Sequence, residues 1–318
     1  MPIIDADRTE MLAMRVHAFG GPEAIVAEHV AIPVPGEGEV LVAVAAAGVG
    51  PWDGWIRAGR SVLPQPLPLT LGSDVAGKVA AIGPGVQGFA IGAAVYGTTN
   101  PRFTDGYAEF AICKAAMIAP KPVALSFIEA ASVPVIAVTA WQMLFEHAGL
   151  KAGQSVLVHG AAGNVGRYAV QLARAAGLRV LGSAGPRDAD AVRSLGAHGI
   201  VGRDLASDER VDTALDLVGG DTQPRLFDLL RPGGSLISAV SEPDATLAAS
   251  RSIRSKFMLV DVKMEVLKQL ADRFDAGELR TFVGSVMPLP DAIVAHRMLD
   301  GLVPLTQGKI VLAVGEPT

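Results

Sequence analysis

Hydrophobic and polar positions follow two different patterns along the 318-residue chain. In the first third, short apolar runs at 40–45 and 75–82 are bounded by proline and glycine, which predicts β-strands joined by long loops. Strand and helix signals do not alternate there, as is typical of a partly open β-barrel. The first third is therefore predicted to be rich in β-structure.

From about residue 127 the pattern changes to an alternation of strand and helix signals. Strands are predicted at 155–159, 179–181, 200–201, 214–218 and 235–240, and helices at 128–131, 139–147, 189–195 and 227–230. Such alternation predicts a parallel sheet with helices on both faces. An amphipathic helix is predicted at 264–275, and a last β run at 309–314 is a candidate to return to the first domain.

The segment 155–166 (SVLVHGAAGNVG) joins an apolar β run to a glycine-rich turn, after which apolar residues recur at helical spacing. Strand, tight turn and helix in this order form the first unit of a dinucleotide-binding βαβ fold. The start of such a helix has unpaired N–H groups and a partial positive charge, which attract a pyrophosphate. Gly163 would let the backbone approach the phosphates, and Gly166 would let the helix pack closely on the strand.

The fingerprint departs from its usual form at one position. Ala161 stands where the first glycine is expected, so the pattern reads AxGxxG. An ordinary turn between a strand and a helix is the alternative interpretation. The cofactor-binding residues predicted in this turn are Ala162, Gly163, Asn164, Val165 and Gly166.

Composition and charge limit the classes of function that the chain could have. The chain has 27 basic and 32 acidic residues, a net charge of −5 and no basic block, which argues against nucleic acid or an anionic membrane as a partner. The single cysteine, Cys113, excludes an intramolecular disulfide and is expected to be a buried bystander rather than a reactive thiol. The N-terminus lacks the apolar core of a signal peptide, and the longest uncharged stretch, 130–145, is too short to span a bilayer. A cytoplasmic protein is therefore expected.

Several motifs resemble the zinc-independent quinone oxidoreductases of the medium-chain dehydrogenase/reductase superfamily, and together they extend over nearly the whole chain. They are PGEGEVLVAV at 35–44, LGSDVAGKVAAIGPGV at 71–86, DGYAEF at 105–110, EAASVPVIAVTAW at 129–141, the turn at 155–166, DLVGG at 216–220, LLRPGGSLI at 229–237 and GKIVL at 308–312. The resemblance implies an α/β fold with a GroES-like β-barrel catalytic domain at 1–127 and 282–318. It also implies a Rossmann dinucleotide-binding domain, a doubly wound parallel sheet, at 128–281, and a homodimer formed through the edge of that sheet.

Zinc is not expected. Gly50 and Ser73 stand where zinc-dependent relatives carry a cysteine and a histidine, and the cysteine-rich lobe of those relatives is missing. Catalytic zinc needs about three protein ligands. The six histidines show no ligand-like spacing and are interpreted as surface or satisfied core residues. Without a Lewis acid to polarise an alcohol, an alcohol dehydrogenase is disfavoured.

The cofactor choice depends on the end of the second strand of the dinucleotide-binding fold. NAD-preferring folds place an acidic residue there to bind the ribose hydroxyls, but 183–187 contains none. Arg187 could instead form charge-assisted bonds to a 2′-phosphate, and Ser183 could add a hydroxyl. NADPH is therefore predicted over NADH. The alternative is that Arg187 merely sits in solvent at a helix start.

The resemblance suggests four further cofactor contacts. Val218 and Gly219 belong to the DLVGG motif. Thr139 corresponds to a position where relatives often place a hydroxyl near the nicotinamide, although it could simply be a threonine that starts a helix. Lys309 in GKIVL could reach the cofactor phosphate.

The substrate cleft is expected to include Gly50, Trp52 and Trp55. Family members usually have asparagine at the position of Gly50, so that role is vacant or taken elsewhere. An aromatic wall suits a flat quinone through stacking, and the alternative is that both tryptophans pack a domain interface. The loops at 59–68 and 243–253 are expected to shape the acceptor site.

The function predicted from the sequence is an NADPH-dependent reductase that transfers a hydride to quinones or α,β-unsaturated carbonyl compounds without zinc. Hydride transfer asks mainly for orientation, so no certain catalytic residue is singled out. A 2-enoyl thioester reductase is an alternative, but it usually needs a tyrosine acid, and Tyr96, Tyr107 and Tyr168 all lie outside the early loop. A non-catalytic NADPH-binding or RNA-binding protein is a second alternative, and the net acidity disfavours RNA.

Overall fold

The computed structural model describes residues 8–315, which form two compact units. The central unit is Ile136–Asp261, and the flanking unit combines the described residues before and after it. This division differs at both ends from the predicted domain bounds, 128–281. The helices at 127–131 and 264–275 belong to the flanking unit and pack on its strands. The Tyr96 hydroxyl, for example, donates a 2.6 Å hydrogen bond to the Leu267 carbonyl.

The described residues form sixteen strands, numbered in chain order. They are β1 (Glu10–Val16), β2 (Ile25–Ala31), β3 (Glu39–Val49), β4 (Leu69–Thr70), β5 (Asp74–Ile82), β6 (Ala94–Thr98), β7 (Phe110–Lys114), β8 (Ile118–Pro120), β9 (Ser155–His159), β10 (Arg179–Ser183), β11 (Gly199–Val201), β12 (Val211–Asp216), β13 (Leu230–Ser238), β14 (Arg254–Phe257), β15 (Val283–Pro288) and β16 (Lys309–Ala313).

Nine α-helices accompany the strands in this part of the chain. They are α1 (Pro51–Arg57), α2 (Phe127–Ala131), α3 (Pro134–Trp141), α4 (Asn164–Ala175), α5 (Ala189–Ser194), α6 (Gln223–Leu226), α7 (Ala245–Ser250), α8 (Met264–Asp275) and α9 (Ala292–Leu299). A π-helical segment, Gln142–His147, follows α3. Between residues 8 and 315, no helix combines the length and the apolar composition needed to cross a membrane.

The central unit contains a parallel sheet of six strands in the order β11-β10-β9-β12-β13-β14. Every pairing between neighbours in this sheet is parallel. All five residues of β9 are buried, as expected for a strand that helices cover on both faces. The predicted parallel sheet is confirmed.

The structure differs from the predicted elements at several places. The edge strand β14 was not predicted, and the helix predicted at 139–147 begins at Pro134 and is π-helical from Gln142. The helix predicted at 227–230 is a short 3-10 turn, and Leu230 already begins β13. The segment 243–253, expected to be a loop, contains α7. The Asp244 side chain caps this helix by accepting a 2.9 Å hydrogen bond from the Leu247 amide, which stabilises a short helix that lacks a strong periodic pattern.

The flanking unit is built on a seven-stranded sheet in the order β15-β16-β3-β5-β6-β8, with β7 also paired to β3. A three-stranded sheet, β2-β1-β4, accompanies it. β3 is buried at all of its residues after Glu39. β16 pairs antiparallel with β3, with Ile310 opposite Val49, so the tail of the chain returns to the first domain as predicted.

Candidate functional site

The glycine turn between β9 and α4 is held by its own backbone. Gly160 adopts a left-handed conformation with φ of +88°, and its carbonyl accepts a 3.0 Å hydrogen bond from the Gly163 amide. The hydrogen bonds of α4 begin at the Gly163 carbonyl, just before the helix, which accepts a 3.0 Å hydrogen bond from the Arg167 amide. The amides of 164–166 precede that bond, so they are the donors that the first helical turn can offer to an anion.

Two glycines of the turn have different tasks. A Cβ on Gly166 would lie 2.2 Å from the Gly160 carbonyl oxygen and 2.7 Å from Ala161 Cα, so no side chain fits there. A Cβ on Gly163 would approach only the Gly160 oxygen, at 3.3 Å, and Gly163 is exposed. Gly166 is therefore needed by the fold, whereas Gly163 keeps the surface of the helix start open.

The structure also explains the alanine in the fingerprint. Ala161 is fully buried, and a Cβ on Gly182 would come within 3.0 Å of the Ala161 methyl group. The missing side chain at Gly182, in β10, thus leaves room for the methyl group at 161.

His159 joins the ends of three strands through its two ring nitrogens. The Gly160 amide donates to the Ser183 hydroxyl oxygen at 3.0 Å, and that hydroxyl lies 2.7 Å from His159 Nδ1. His159 Nε2 lies 2.9 Å from the Thr222 hydroxyl, which donates to the Gly219 carbonyl at 2.8 Å. A neutral ring with its proton on Nε2 satisfies these contacts, and burial lowers the pKa of His159 against the opposing effect of a nearby carboxylate. His159 is a satisfied core histidine, as predicted.

The loop after β12 carries two predicted cofactor residues. The fully buried Asp216 carboxylate accepts hydrogen bonds from the amides of Val218 (3.1 Å) and Gly219 (2.8 Å) and from the Gln223 side-chain amide (2.8 Å). Val218 is 49% exposed, and its Cγ2 would lie 3.0 Å from a Cβ on Gly160. Val218 therefore lies directly against the glycine turn.

The loop after β10 contains the predicted Arg187 and is contacted by a second arginine, Arg203, that the sequence interpretation missed. Arg187 is exposed in this loop, and its contact with a 2′-phosphate stays a prediction. Arg203 lies against the same loop, because a Cβ on Gly185 would come within 3.0 Å of Arg203 Nε. The two residues belong to different loops, so no local motif could have indicated this contact.

Thr139 is buried in the interior of α3, which begins at Pro134. The alternative that Thr139 starts a helix is therefore wrong, because more than a full turn of α3 precedes it. Its role near the nicotinamide stays a prediction.

In the flanking unit, strand register brings Gly48, Asp74 and Lys309 together. Gly48 pairs with Asp74 between β3 and β5, and Ile310 pairs with Val49. The Lys309 ammonium donates to Asp74 Oδ2 at 3.0 Å, and both side chains are almost fully buried. Burial raises the pKa of Asp74, and the ammonium opposes that shift. The predicted contact of Lys309 with a cofactor phosphate stays a prediction.

The predicted substrate residues lie at the start of α1. Gly50 is buried and precedes the helix, and its amide donates to Asp53 Oδ2 at 2.8 Å. The half-buried Trp52 donates from Nε1 to the Ser73 hydroxyl at 3.1 Å. Trp55 is 51% exposed.

A buried carboxyl group supports this turn. Asp53 is fully buried, and its Oδ2 also accepts a 3.0 Å hydrogen bond from the Tyr107 hydroxyl. Asp53 Oδ1 has no hydrogen-bond partner among the described residues. Burial raises the pKa of Asp53 to about 7, although the Gly50 amide and the Lys309 charge oppose the shift.

Stability is expected to depend on the titration of Asp53. Its pKa in the folded chain is about 7, against an ordinary 3.8, so the folded state holds a proton that the unfolded state releases between these values. The stabilisation is fully present below pH 3.8 and is lost as the pH rises through about 7. Urea unfolding across this range should give a free-energy difference between wild type and Asp53→Asn that falls with rising pH. A difference that is constant with pH would contradict the assignment.

The described residues contain no group of three or more histidine, cysteine, aspartate or glutamate side chains that could hold a metal ion. At the two positions where zinc ligands are expected in zinc-dependent relatives, Gly50 has no side chain and the Ser73 hydroxyl accepts the Trp52 N–H. Cys113 is buried, and burial raises the pKa of its thiol. These residues do not fit a catalytic zinc ion.

The structure brings together most of the predicted residues within each unit. Around Gly160 in the central unit lie 162–166, Ser183, Val218 and Gly219. At the start of α1 in the flanking unit, Gly50, Trp52 and Lys309 form one cluster. The sequence interpretation missed the supporting residues Thr222, Arg203, Asp53, Tyr107 and Asp74, and it did not connect His159 with the turn.

The chain matches two family models. Residues 36–123 match the alcohol dehydrogenase GroES-like domain, and residues 188–312 match the zinc-binding dehydrogenase domain. Among curated proteins, the quinone oxidoreductase of Sus scrofa is 35% identical over 308 residues, which cover 90% of this chain and 93% of the relative.

Solved structures show the same fold over almost the whole chain. The quinone oxidoreductase of Coxiella burnetii superimposes with a TM-score of 0.88 at 30% identity, covering 96% of this chain and 99% of that one. A mycobacterial protein complexed with NADPH superimposes with a TM-score of 0.83 at 28% identity, covering 96% of this chain and 100% of that one.

Proposed function

Because the chain belongs to the quinone oxidoreductase family of the medium-chain dehydrogenase/reductase superfamily, we propose that it reduces quinones or α,β-unsaturated carbonyl compounds with NADPH and without zinc. As a member of this family it is an oxidoreductase that uses a nicotinamide dinucleotide. The observation that carries the proposal is the glycine turn, where Gly166 closes on the Gly160 carbonyl and leaves the amides of 164–166 available.

The residues of the central unit fit a dinucleotide. The first-turn amides of α4 would hold its pyrophosphate, since they combine free donors with the positive end of the helix dipole. Val218 and Gly219 would bind beside the turn, and Asp216 fixes their backbone. When bound, the reduced nicotinamide supplies a hydride, and the acceptor also gains a proton from water or a side chain.

The preference for NADPH is supported by charge. No acidic residue stands at 183–187, Arg187 belongs to this loop, and Arg203 lies against it at Gly185. Both guanidinium groups can form charge-assisted hydrogen bonds with a 2′-phosphate. Ser183 is better assigned to support of the turn, because its hydroxyl is already bonded to the Gly160 amide and His159.

Replacing Arg187 or Arg203 with alanine should raise the KM for NADPH by about tenfold each, as expected for the loss of one charge-assisted hydrogen bond. The KM for NADH should stay within about twofold, because NADH carries no 2′-phosphate. Arg193→Ala is the matched control, since Arg193 is exposed on α5 and paired with Asp190. Equal KM changes for both cofactors would contradict the assignment.

The absence of zinc chemistry is proposed from the donor set. Gly50 and Ser73 do not supply metal ligands, so the acceptor would be activated by hydrogen-bond donors and orientation. Trp52 and Trp55 are proposed to line the acceptor site, where aromatic faces suit a flat conjugated acceptor.

Loss of NADPH absorbance with an ortho-quinone, a para-quinone and a simple enone tests the function directly. Turnover of at least one acceptor, unchanged after dialysis against a chelator, is expected. NADPH binding without turnover of any acceptor would overturn the reductase proposal, and loss of turnover that zinc restores would overturn the metal-free proposal.

A 2-enoyl thioester reductase is less well supported. Tyr96 and Tyr107 are fully buried, and their hydroxyls donate to the Leu267 carbonyl and to Asp53. Tyr168 is also buried. A homodimer formed through an edge of the six-stranded sheet and a cytoplasmic location stay predictions, and sedimentation of the purified protein tests the first.

A further inference from the structure

The Trp52 ring fills the space that a side chain at position 50 would occupy. A Cβ on Gly50 would lie 2.3–2.5 Å from three atoms of the six-membered ring of Trp52. Gly50 has an extended backbone, with φ of −129°, that any residue can adopt. Glycine at this position is therefore required by the ring and not by the backbone.

The ring is fixed at its edge and over its face. Its Nε1 donates to the Ser73 hydroxyl at 3.1 Å. The Lys309 ammonium lies 4.3 Å from the ring centroid, within the range of a cation–π interaction. Lys309 is itself held by Asp74 at 3.0 Å. These contacts define the orientation of the indole, which is half-buried: part of it packs against the hydrophobic core of the flanking unit, and the rest is exposed.

We propose that Trp52 is a specificity-determining residue whose fixed indole selects flat aromatic acceptors over small aliphatic ones. This inference rests on the proposed reductase function. It depends on three features together: the space left by Gly50, the bond to Ser73 and the ammonium of Lys309 over the ring.

The chemistry of this surface favours one class of acceptor. An indole offers a large aromatic face that stacks with another conjugated ring in an offset arrangement. The charge of Lys309 is balanced by Asp74. A polycyclic quinone gains from stacking on such a face, whereas a small aliphatic enone has little area to stack.

Two kinds of variant distinguish the effect of moving the Trp52 ring from the effect of removing it. Gly50→Ala keeps Trp52 but forces its ring to move, because the clash is with the outer end of a side chain. Gly54→Ala, in the helix α1 that follows Gly50, is the matched control. A Cβ there would meet its nearest atoms, on Leu299 and Asp300, at the ordinary distances of 3.8 and 3.9 Å. Trp52→Leu removes the aromatic ring.

The experiment compares kcat/KM for phenanthrenequinone and cyclohexenone in all variants, with Tm as the folding control. Gly50→Ala and Trp52→Leu should lower the quinone value by about tenfold, the ratio expected when an aromatic contact is lost. The enone values, and both values of Gly54→Ala, should stay within about twofold of wild type. Equal effects on both acceptors, or none, would overturn the proposal.

A binding measurement tests the role of Trp52 without relying on turnover, and it uses a milder substitution than Gly50→Ala or Trp52→Leu. Phenanthrenequinone should quench the tryptophan fluorescence of the wild-type protein in a saturable way, and Trp52→Phe should lose most of that quenching. Unchanged saturable quenching in Trp52→Phe would overturn the proposal. A wild-type protein that shows this quenching but reduces neither acceptor would instead count against the reductase function alone.

Discussion

Gly166→Ala is expected to weaken NADPH binding by about 100-fold, the effect of losing roughly two hydrogen bonds to a charged group. A Cβ at this position lies 2.2 Å from a backbone oxygen, that of Gly160, and a backbone atom cannot move aside as a side-chain end can. The turn must open, and the amides of the first helical turn then lose their alignment. The same overpacking should lower the free energy of unfolding by about 1–3 kcal/mol.

Gly163→Ala is the matched comparison. Its Cβ would meet one neighbour, the Gly160 oxygen at 3.3 Å, a tight contact that a shift of a few tenths of an ångström relieves, so the Tm should fall much less than in Gly166→Ala. Cofactor binding should still weaken, because the methyl group stands where the phosphates approach the backbone. Isothermal titration with NADPH and thermal unfolding separate the two effects. A Gly166→Ala protein that binds NADPH like wild type would contradict the role assigned to the turn.

Local patterns were sufficient to predict five of the six strands of the central sheet, but not its edge strand, β14. The turn at 155–166 was predicted because its strand, glycines and helix are contiguous, and α8 has the predicted bounds. In these segments the periodicity that identifies the element also determines what it buries. The short helix α7 was missed because a single cap, Asp244, stabilises it without such periodicity.

The support of the candidate site could not be predicted, because it depends on contacts between distant parts of the chain. Arg203 packs on Gly185 from another loop, and Lys309 reaches Asp74 only through the register of three strands. Trp52 was predicted to line the cleft, but the fact that its ring fills the space beside Gly50 is visible only in the folded turn. The residue types indicated which side chains were candidates for the site, but only the folded structure shows which groups each side chain contacts.

The buried pair of Lys309 and Asp74 should produce the largest loss of stability. Lys309→Met leaves an unpaired carboxylate and Asp74→Asn an unpaired ammonium, and each change should lower the free energy of unfolding by about 3–5 kcal/mol. Asparagine retains an oxygen that can accept the Val135 amide, which now donates to Asp74 Oδ1 at 3.1 Å. The double variant should lose much less than the sum of the two, since it buries no lone charge.

The pH dependence of Lys309→Met identifies the cause of its instability. Burial raises the pKa of Asp74 and of the nearby Asp53, and removing the Lys309 ammonium, which opposes both shifts, raises both pKa values further. A group whose pKa is raised on folding contributes stability at low pH that is lost as the pH rises through its folded value. Urea unfolding should therefore show a smaller defect near pH 5 than near pH 8. Additive single effects, or a defect that does not change with pH, would mean that packing rather than the ion pair stabilises this part of the fold.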